Sequence, residues 1–215
     1  MKILMNTGGI AGTNCFVAAD EKARQAVMFD APNDTTQPLL DEVQKQGWDL
    51  VGLWLTHGHF DHIADHQVVT TRFPNAKVAI HRLDEPKLQS PDVMGLLFML
   101  PFVIPPRSAD VVLVDGQKLQ VGGLEFQVIH TPGHSAGHVV YYCAAEQVLA
   151  GGDLIIGGSI GRTDLPDSDH AQMENSLRKV MSLPQATRLL PGHGEITSLA
   201  QERKTNLFVR QVLRK

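Results

Sequence analysis

The sequence predicts a mixed α/β fold in which helices cover the faces of a strand core. Short apolar runs rich in β-branched residues recur between turn residues, as expected of buried strands. Stretches with helical spacing of apolar residues interrupt these runs. Strand and helix signals alternate in two successive groups along the chain, which is typical of layered α/β architectures.

The predicted strands are short, and most are bounded by Gly, Pro, Asn or Asp. Their boundaries follow the apolar runs and the turn residues that flank them. They cover residues 2–7, 14–19, 25–31, 50–57, 76–81, 111–116, 124–131, 138–145, 147–153 and 187–193.

The helical pattern is clearest where a capping residue precedes it or a glycine follows it. Thr35 or Thr36 can cap the first predicted helix, and Gly47 ends it. The longest irregular stretch is 84–106, and loops of that length are usually functional or mobile. Its apolar part, 93–106, is interrupted by Gly and Pro and predicts a loop or broken helix. The predicted helices are Thr35–Gln46, His62–Arg72, His170–Met181 and Ser198–Leu213.

Composition limits the classes of protein to which the chain can belong. Its 215 residues and 43% hydrophobic content suit one globular domain spanning 1–215. A formal net charge of -4 disfavours nucleic-acid binding. No signal-peptide core or membrane-spanning run is recognisable, so we expect a cytoplasmic protein without a membrane partner. Cys15 and Cys143 lie in apolar runs and are interpreted as buried small hydrophobes.

A cluster of ligand-type residues follows the predicted strand 50–57, in the sequence THGHFDH. His57 and His59 are two residues apart, and Asp61 and His62 follow where a helix begins. Imidazole and carboxylate groups are the ligands that zinc and similar divalent metals accept. The alternative, a polar surface turn with chance histidines, is disfavoured by this density. Asp61 is also the candidate catalytic residue, expected to bind one metal and orient the attacking water.

More ligand-type residues stand directly after other predicted strands. His134, Asp153 and His193 each follow a glycine at or just beyond a strand end. Because α/β folds assemble their sites at carboxyl ends of strands, we expect these side chains to meet the first cluster. Seven ligands suffice for two divalent ions, predicted to be zinc, with iron or manganese as alternatives. The predicted sets are His57, His59 and His134 for one metal, Asp61, His62 and His193 for the other, and Asp153 as the bridge.

The remaining histidines receive separate interpretations. For His66 a solvated helix face is favoured over a supporting role at the site. His81 and His130 are interpreted as structural, and His138 as a group that could steady the neighbouring ligand loop by hydrogen bonding. His170 is interpreted as a helix-start residue without a site role.

The sequences THGHFDH, TPGHSAGH, GGDLI and PGHG resemble the signature of the metallo-β-lactamase superfamily, over residues 57 to 194. The resemblance implies a four-layer αβ/βα sandwich of two similar halves, with a metal site along their shared edge. It also implies the same division of ligands between two metals. The absence of a cysteine in the second-half metal loops argues against the β-lactamases that use a cysteine ligand.

The segment GGDLIIGGSIGRTDLPDSD resembles the corresponding loop of short hydroxyacylglutathione hydrolases of the glyoxalase II type. This resemblance implies hydrolysis of a small-molecule thioester, S-D-lactoylglutathione or a related hydroxyacyl thioester. The Gly-Arg-Thr-Asp run also resembles persulfide dioxygenases, whose single iron would here be held by His57, His134 and Asp153. A lactonase or another hydrolase of this fold is a further alternative. A binding protein with a relic site is disfavoured because no ligand is missing.

Substrate-binding residues are less clearly indicated than metal ligands. Arg162 follows a glycine-rich turn and suits a substrate carboxylate, but an ion pair with Asp164 is an equally weighted alternative. Only 22 residues follow His193, so part of the glutathione site of longer relatives is expected to be missing. The apolar segment 93–106 is predicted to line the substrate cleft or to form a homodimer contact, with a buried loop as the equally weighted alternative. The basic residues of the last helix, more simply read as solvated, are Arg203, Lys204, Arg210, Arg214 and Lys215.

Overall fold

Two six-stranded mixed sheets pack against each other in the computed structural model, which describes residues 1–214 apart from the side chain of Met94. The first sheet has the order β1-β2-β3-β4-β5-β6 and the second the order β12-β11-β10-β9-β8-β7. The strands are β1 (Lys2–Gly8), β2 (Thr13–Asp20), β3 (Gln25–Phe29), β4 (Asp49–Trp54), β5 (Lys77–His81), β6 (Val111–Leu113), β7 (Lys118–Val121), β8 (Leu124–His130), β9 (Val139–Cys143), β10 (Val148–Gly152), β11 (Arg188–Pro191) and β12 (Thr197–Ser198).

Helices lie along the outer face of each sheet. β3 to β6 run parallel in the first sheet, whereas in the second only β10 and β11 are parallel. Parallel neighbours require crossover connections, and helices supply most of them. The helices are α1 (Gln37–Gln46), α2 (Phe60–Ile63), α3 (His66–Arg72), α4 (Glu85–Gln89), α5 (Asp92–Leu97), α6 (His170–Met181), α7 (Leu199–Thr205) and α8 (Leu207–Val212).

Three apolar clusters define four layers. On β2, Cys15 and Val17 pack with the helices of the first half, whereas Phe16 and Ala18 face the second sheet. This alternation is the two-residue period of a strand that is buried on both faces. A third cluster packs α6 and α8 on the outer face of the second sheet. The predicted αβ/βα sandwich is therefore confirmed, as is the burial of both cysteines.

Two of the predicted helices are interrupted. The helix predicted from His62 to Arg72 is divided into α2, which begins earlier, at Phe60, and α3. The helix predicted from Ser198 is divided at Asn206, whose side chain accepts hydrogen bonds from the backbone of α8 and caps it. Thr36 occupies the N-cap of α1, but its hydroxyl donates to Asp65 instead of capping the helix. α6 has the predicted boundaries, with His170 as its first residue.

The segment 84–106 is less irregular than the sequence predicts, because it contains α4 and α5. Several of its apolar side chains remain exposed, among them Leu96 at 81% and Met99 at 88%. The homodimer contact predicted for this segment stays a prediction. The short strands β7 and β12 were missed, because neither carries an apolar run long enough to stand out. No helix within residues 1–214 is both long and apolar enough to cross a membrane.

The interpretation of His66 as a solvated residue was wrong. Its side chain is buried, with 2% exposure, and its Nε2 lies 2.8 Å from the carbonyl oxygen of Pro105. The carbonyl can only accept, so His66 donates this bond and ties α3 to the end of the 84–106 segment. The helical pattern of apolar residues predicts which face of α3 packs on the sheet. It does not predict that the 84–106 segment, later in the chain, covers His66 on another face.

His81 and His130 stack on each other, with ring centroids 4.2 Å apart and an interplanar angle of 17°. His81 is buried at 4% exposure, whereas His130 is partly buried and its Nε2 contacts the carbonyl oxygen of Ala136 at 2.9 Å. Both side chains therefore have the structural role that the sequence predicts.

The burial of His81 predicts an acid-sensitive contribution to the free energy of unfolding. Burial, followed by the neighbouring His130, lowers the pKa of His81 to about 4. An unfolded histidine titrates near pH ~6.5, so between these values the unfolded chain binds more protons. The stabilisation is complete above pH ~6.5 and is lost as the pH falls toward about 4, by roughly 2 kcal/mol. His81→Phe is expected to make the free energy of unfolding fall less steeply between neutral and acid pH. Denaturant titrations of metal-free protein across this range measure the effect.

The exposed residue His170 provides the control for this measurement. His170→Gln is expected to follow the parent protein at every pH, because its side chain is 64% exposed. If the curves of the parent and His81→Phe run parallel through the acid range, His81 does not titrate as its burial requires.

Candidate metal centre

Seven side chains from four connections converge at one edge of the sandwich. The segment after β4 supplies two histidines and leads into α2, which supplies an aspartate and a third histidine. The segments after β8, β10 and β11 each supply one more side chain. All seven predicted ligands are brought together: His57, His59, Asp61, His62, His134, Asp153 and His193.

The first group consists of three imidazoles whose ring nitrogens meet. His59 Nδ1 lies 3.0 Å from His57 Nε2 and 2.9 Å from His134 Nε2. All three residues are buried. The spacing of the three nitrogens suits a common metal ion.

The second group combines a carboxylate with two imidazoles. Asp61 Oδ2 lies 3.5 Å from His62 Nε2 and 3.4 Å from His193 Nε2. Thr13 at the start of β2 donates its hydroxyl to the same oxygen of Asp61, at 2.7 Å. This bond fixes the carboxylate with one oxygen toward the two rings.

Asp153 lies between the two groups. Its Oδ2 is 3.4 Å from His134 Nε2 and 3.3 Å from His193 Nε2, and its Oδ1 is 3.5 Å from His62 Nε2. One carboxylate therefore contacts donors of both predicted sets. This is the position that the sequence analysis assigned to a bridging ligand.

Hydrogen bonds behind the cluster fix the tautomers of its histidines. Thr56 donates its single hydroxyl proton to Asp30 Oδ2, so its oxygen must accept from His57 Nδ1 at 3.0 Å. The carboxylate of Asp30 also accepts from His62 Nδ1, at 2.9 Å. The carbonyl oxygen of Arg162 accepts from His134 Nδ1, also at 2.9 Å. In each neutral ring the Nε2 lone pair then points into the cluster, as metal ligation requires.

These tautomers show that the cluster fits a cation. His57 Nε2 and His134 Nε2 carry no proton in their neutral rings, and His59 Nδ1 between them carries at most one. At most one of the two short contacts can therefore be a hydrogen bond, and the other brings two nitrogens together with no proton between them, which is unfavourable unless a cation lies there. His62 Nε2 and Asp153 Oδ1 are also buried without a hydrogen-bond partner. Buried polar atoms are rarely left so, and a bound metal would satisfy them.

The pKa values of the cluster residues also indicate that the cluster favours a cation. Burial, together with the neighbouring imidazoles, lowers the pKa of His57 well below its usual value, so this ring stays neutral. Burial also opposes the charging of His193, yet hydrogen bonds to Asp153 and Asp61 raise its pKa to about 10. Without metal, burial opposes the charging of His62 and Asp153, but the carboxylates around His62 raise its pKa, and its positive charge and the bond from His193 hold the pKa of Asp153 well below the usual range. The carboxylates thus stabilise positive charge where the second metal is predicted.

Two glycines allow the ligand loops to approach each other. A Cβ on Gly192 would lie 2.1 Å from Asp153 Oδ1, and a Cβ on Gly161 would lie 2.1 Å from the carbonyl oxygen of Asp153. Real Cβ atoms do not approach an oxygen so closely. Glycine at both positions is therefore required by the packing around Asp153.

Several supporting residues were missed by the sequence analysis. Asp30 follows the predicted strand end in QAVMFDA, so the strand-end rule could have found it. Asp84 carries no such signal. It is fully buried and accepts hydrogen bonds from the backbone of Gly58 and Gly137, each at 2.7 Å, and from the Ser135 hydroxyl. Asp84 thereby joins the loops that carry the THGHFDH and TPGHSAGH motifs.

His138 steadies the loop that carries His134 by hydrogen bonding, as predicted, and it also supports the site at a second place. Its Nδ1 lies 2.8 Å from the Thr131 hydroxyl, and its Nε2 accepts from the backbone N–H of Asp153 at 3.0 Å. It therefore positions the backbone of Asp153, the predicted bridging ligand, in addition to packing beside His134.

Arg162 lies at the edge of the site and forms an ion pair. Its guanidinium contacts both carboxylate oxygens of Asp164, at 2.7 and 2.9 Å. Its side chain is 57% exposed and also lines a cavity at the metal centre, so binding of a substrate carboxylate stays a prediction. None of the described basic residues of the C-terminal cluster lines this cavity, and Lys215 lies outside the described residues.

The cavity at the metal centre has a volume of about 240 Å³. Five predicted ligands and Arg162 line it, together with apolar side chains. A larger cavity of about 400 Å³ adjoins it, because His59, Phe98 and Leu165 line both. The predicted ligands are therefore accessible to a small molecule.

The family model of the metallo-beta-lactamase superfamily matches residues 8–193 of the chain. The chain belongs to the metallo-beta-lactamase superfamily. The matched region includes all seven side chains of the cluster. Members of the superfamily are mostly metal-dependent hydrolases, and the His/Asp cluster described above could bind two metals.

Relatives within the superfamily have different names. Hydroxyacylglutathione hydrolase GloC of Haemophilus influenzae is 28% identical, over 91% of this chain and 92% of its own. The structure of BLEG-1, a B3 metallo-beta-lactamase, superposes with a TM-score of 0.89 at 33% identity, covering 97% of this chain and 99% of that chain. The structure of TTHA1623 in a di-iron-bound form superposes with a TM-score of 0.83 at 35% identity, covering 95% of this chain and 99% of that chain. The structure of ETHE1 from Myxococcus xanthus superposes with a TM-score of 0.78 at 26% identity, covering 99% of this chain and 90% of that chain.

Proposed function

We propose that this protein hydrolyses thioesters with the help of two divalent metal ions, and that S-D-lactoylglutathione or a related hydroxyacyl thioester is its substrate. The observation that carries the proposal is the complete set of seven donors beside an accessible cavity. Similarity to a hydroxyacylglutathione hydrolase over 91% of the chain supports the choice of thioester.

The ligands divide into the two sets that the sequence predicts, with Asp153 between them. Divalent ions bound there would polarise a carbonyl oxygen and lower the pKa of water enough to supply a nucleophile near neutral pH. Asp61 has one oxygen fixed by Thr13 and directed toward His62 and His193. It is therefore placed to accept a hydrogen bond from the attacking water and to orient it.

The leaving group can be inferred from what lines the cavity. Apart from the predicted ligands, the described lining residues are apolar, except for Arg162. Arginine has a pKa above ~12 and is a poor general acid near neutral pH. A group that departs without being protonated is therefore favoured, and a thiolate, with a pKa near ~8.5, meets this requirement.

The Gly-Arg-Thr-Asp run favours a second candidate, an iron persulfide dioxygenase that uses only His57, His134 and Asp153. Four predicted ligands would then be unnecessary, although all of them converge on the same site: His59, Asp61, His62 and His193. A relative crystallised in a di-iron-bound form supports a two-metal site. The hydrolase is therefore the better-supported function.

Parallel assays of one metal-loaded preparation test the proposal. Protein reconstituted with zinc, iron(II) or manganese(II) is assayed with S-D-lactoylglutathione, by release of thiol, and with a β-lactam, by ring opening. Oxygen uptake with glutathione persulfide is measured beside them, and metal content is determined by mass spectrometry. We expect two metals per chain and thioester hydrolysis well above that of free metal.

Each of the other outcomes has a definite meaning. Oxygen uptake with one iron per chain would select the dioxygenase. Faster opening of the β-lactam than of any thioester would overturn the proposed substrate class, and so would the absence of thioester hydrolysis by fully loaded protein.

A further inference from the structure

The larger cavity beside the metal centre is lined mostly by carbon. α4, α5 and the 165–167 segment form its walls, and His59 lines it on the side of the metal centre. Its volume of about 400 Å³ exceeds that of the cavity at the predicted ligands. The apolar lining residues are Pro86, Val93, Leu97, Phe98, Leu165 and Pro166.

Lys87 and Asp167, two charged residues that line this cavity, form an ion pair with each other. The ammonium of Lys87 forms ion pairs with Asp167 and Asp84, and it also donates to the Ser135 hydroxyl at 2.6 Å. Asp167, the other charged lining residue, thus has its charge compensated. A charged substrate group would have to compete with these bonds, whereas an apolar group would not.

Two of the apolar lining residues are exposed to an unusual degree. Val93 is 67% and Leu97 54% exposed, so their side chains remain in contact with water when the cavity is empty of substrate. Covering such a surface with a hydrocarbon group is favourable, by roughly two- to fourfold in affinity for each buried methylene. Because His59, Phe98 and Leu165 line both cavities, such a group would be continuous with a scissile bond at the metal centre.

We propose that this cavity selects thioesters that carry an apolar hydrocarbon group next to the scissile bond. The inference rests on the proposed function, but it goes further, because neither the lactoyl group nor glutathione is apolar. The hydrocarbon group can belong to the acyl part or to the thiol part of the substrate, and the experiment distinguishes the two.

Two series of thioesters test the proposal with metal-loaded protein. The first varies the acyl group on N-acetylcysteamine from acetyl through butanoyl and hexanoyl to octanoyl. The second varies the thiol of S-D-lactoyl thioesters from ethanethiol to hexanethiol. We expect kcat/KM to rise by roughly twofold or more per methylene in one series, until the cavity is filled. The series that responds identifies the part of the substrate that occupies the cavity.

Substitutions in α5 connect this preference to the cavity. Leu97→Ser is expected to lower the ratio of kcat/KM for the longest and shortest members of the responding series by roughly five- to tenfold. Leu96→Ser is the matched control, because Leu96 is its neighbour in α5, is 81% exposed and does not line this cavity. Val93→Trp should fill the cavity and shift the optimum toward shorter chains. Both leucines are exposed enough for their replacement to leave the fold intact.

A binding measurement separates the failure of this inference from the failure of the proposed function. Titration calorimetry compares acetate with hexanoate, and ethanethiol with hexanethiol, on the parent protein and the Leu97→Ser variant. If no thioester is hydrolysed but a longer ligand binds more tightly through Leu97, the cavity has been assigned correctly and the activity has not. If lactoylglutathione is hydrolysed while chain length and Leu97→Ser change neither kcat/KM nor binding, the inference is overturned and the proposed function stands.

Discussion

Replacing Asp153 with asparagine is expected to lower the metal content from two divalent ions per chain to one or none and to reduce kcat/KM by about 100-fold or more. The carboxylate contacts His134 and His193 through one oxygen and His62 through the other. Asparagine nearly preserves the shape but removes the negative charge. Changes behind a metal ligand already cost about 10- to 100-fold, so loss of a shared ligand should cost at least as much. Mass spectrometry and steady-state kinetics measure the two effects.

Asp164→Asn is the control for this substitution. Asp164 is also an aspartate in a loop near the site, but its side chain is 68% exposed and pairs with Arg162. We expect this variant to keep both metals. A fully loaded and fully active Asp153→Asn protein would show that Asp153 is not a shared ligand and would remove the basis for the two-metal site.

The convergence of the seven candidate ligands could be predicted because they follow strands. Each strand ends at a sheet edge, and a glycine beside the ligand permits the tight turn that brings it inward, as Gly192 does before His193. The alternation of β2 side chains between the two apolar clusters is likewise local, since chain geometry decides which face of a strand a residue occupies.

The parts that could not be predicted depend on contacts between distant segments. Asp84 joins Gly58 to Gly137, and no local pattern marks an aspartate for that role. The burial of His66 depends on Pro105, 39 residues later in the chain. The apolar segment 93–106 was predicted to line a cleft or a dimer contact, but no local pattern shows that Leu165, far along the chain, forms part of the same cavity wall.

Asp30→Asn is expected to weaken metal binding by about 10- to 100-fold and to destabilise the protein by about 1 to 3 kcal/mol. Asp30 accepts from the Thr56 amide, the Thr56 hydroxyl and His62 Nδ1. In asparagine an NH2 group replaces one of the two carboxylate oxygens. This group donates two protons at a position where the oxygen accepted hydrogen bonds. If these protons face His62 Nδ1, they favour the tautomer that carries its proton on Nε2, the atom that must bind metal. Competition with a metal-binding dye and denaturant titration of metal-free protein measure the two effects.

Asp65→Asn separates metal binding from stability. Asp65 is also buried, and it accepts from the backbone N–H groups of three consecutive residues, 34 to 36, and from the Thr36 hydroxyl. No hydrogen bond joins its carboxylate to a predicted ligand, so its replacement should destabilise the fold to a similar extent while leaving metal affinity within about twofold. If both variants lose the same affinity, the effect of Asp30 arises from general loosening of the fold. If only Asp30→Asn loses it, the carboxylate behind His62 determines which ring nitrogen is free to bind metal.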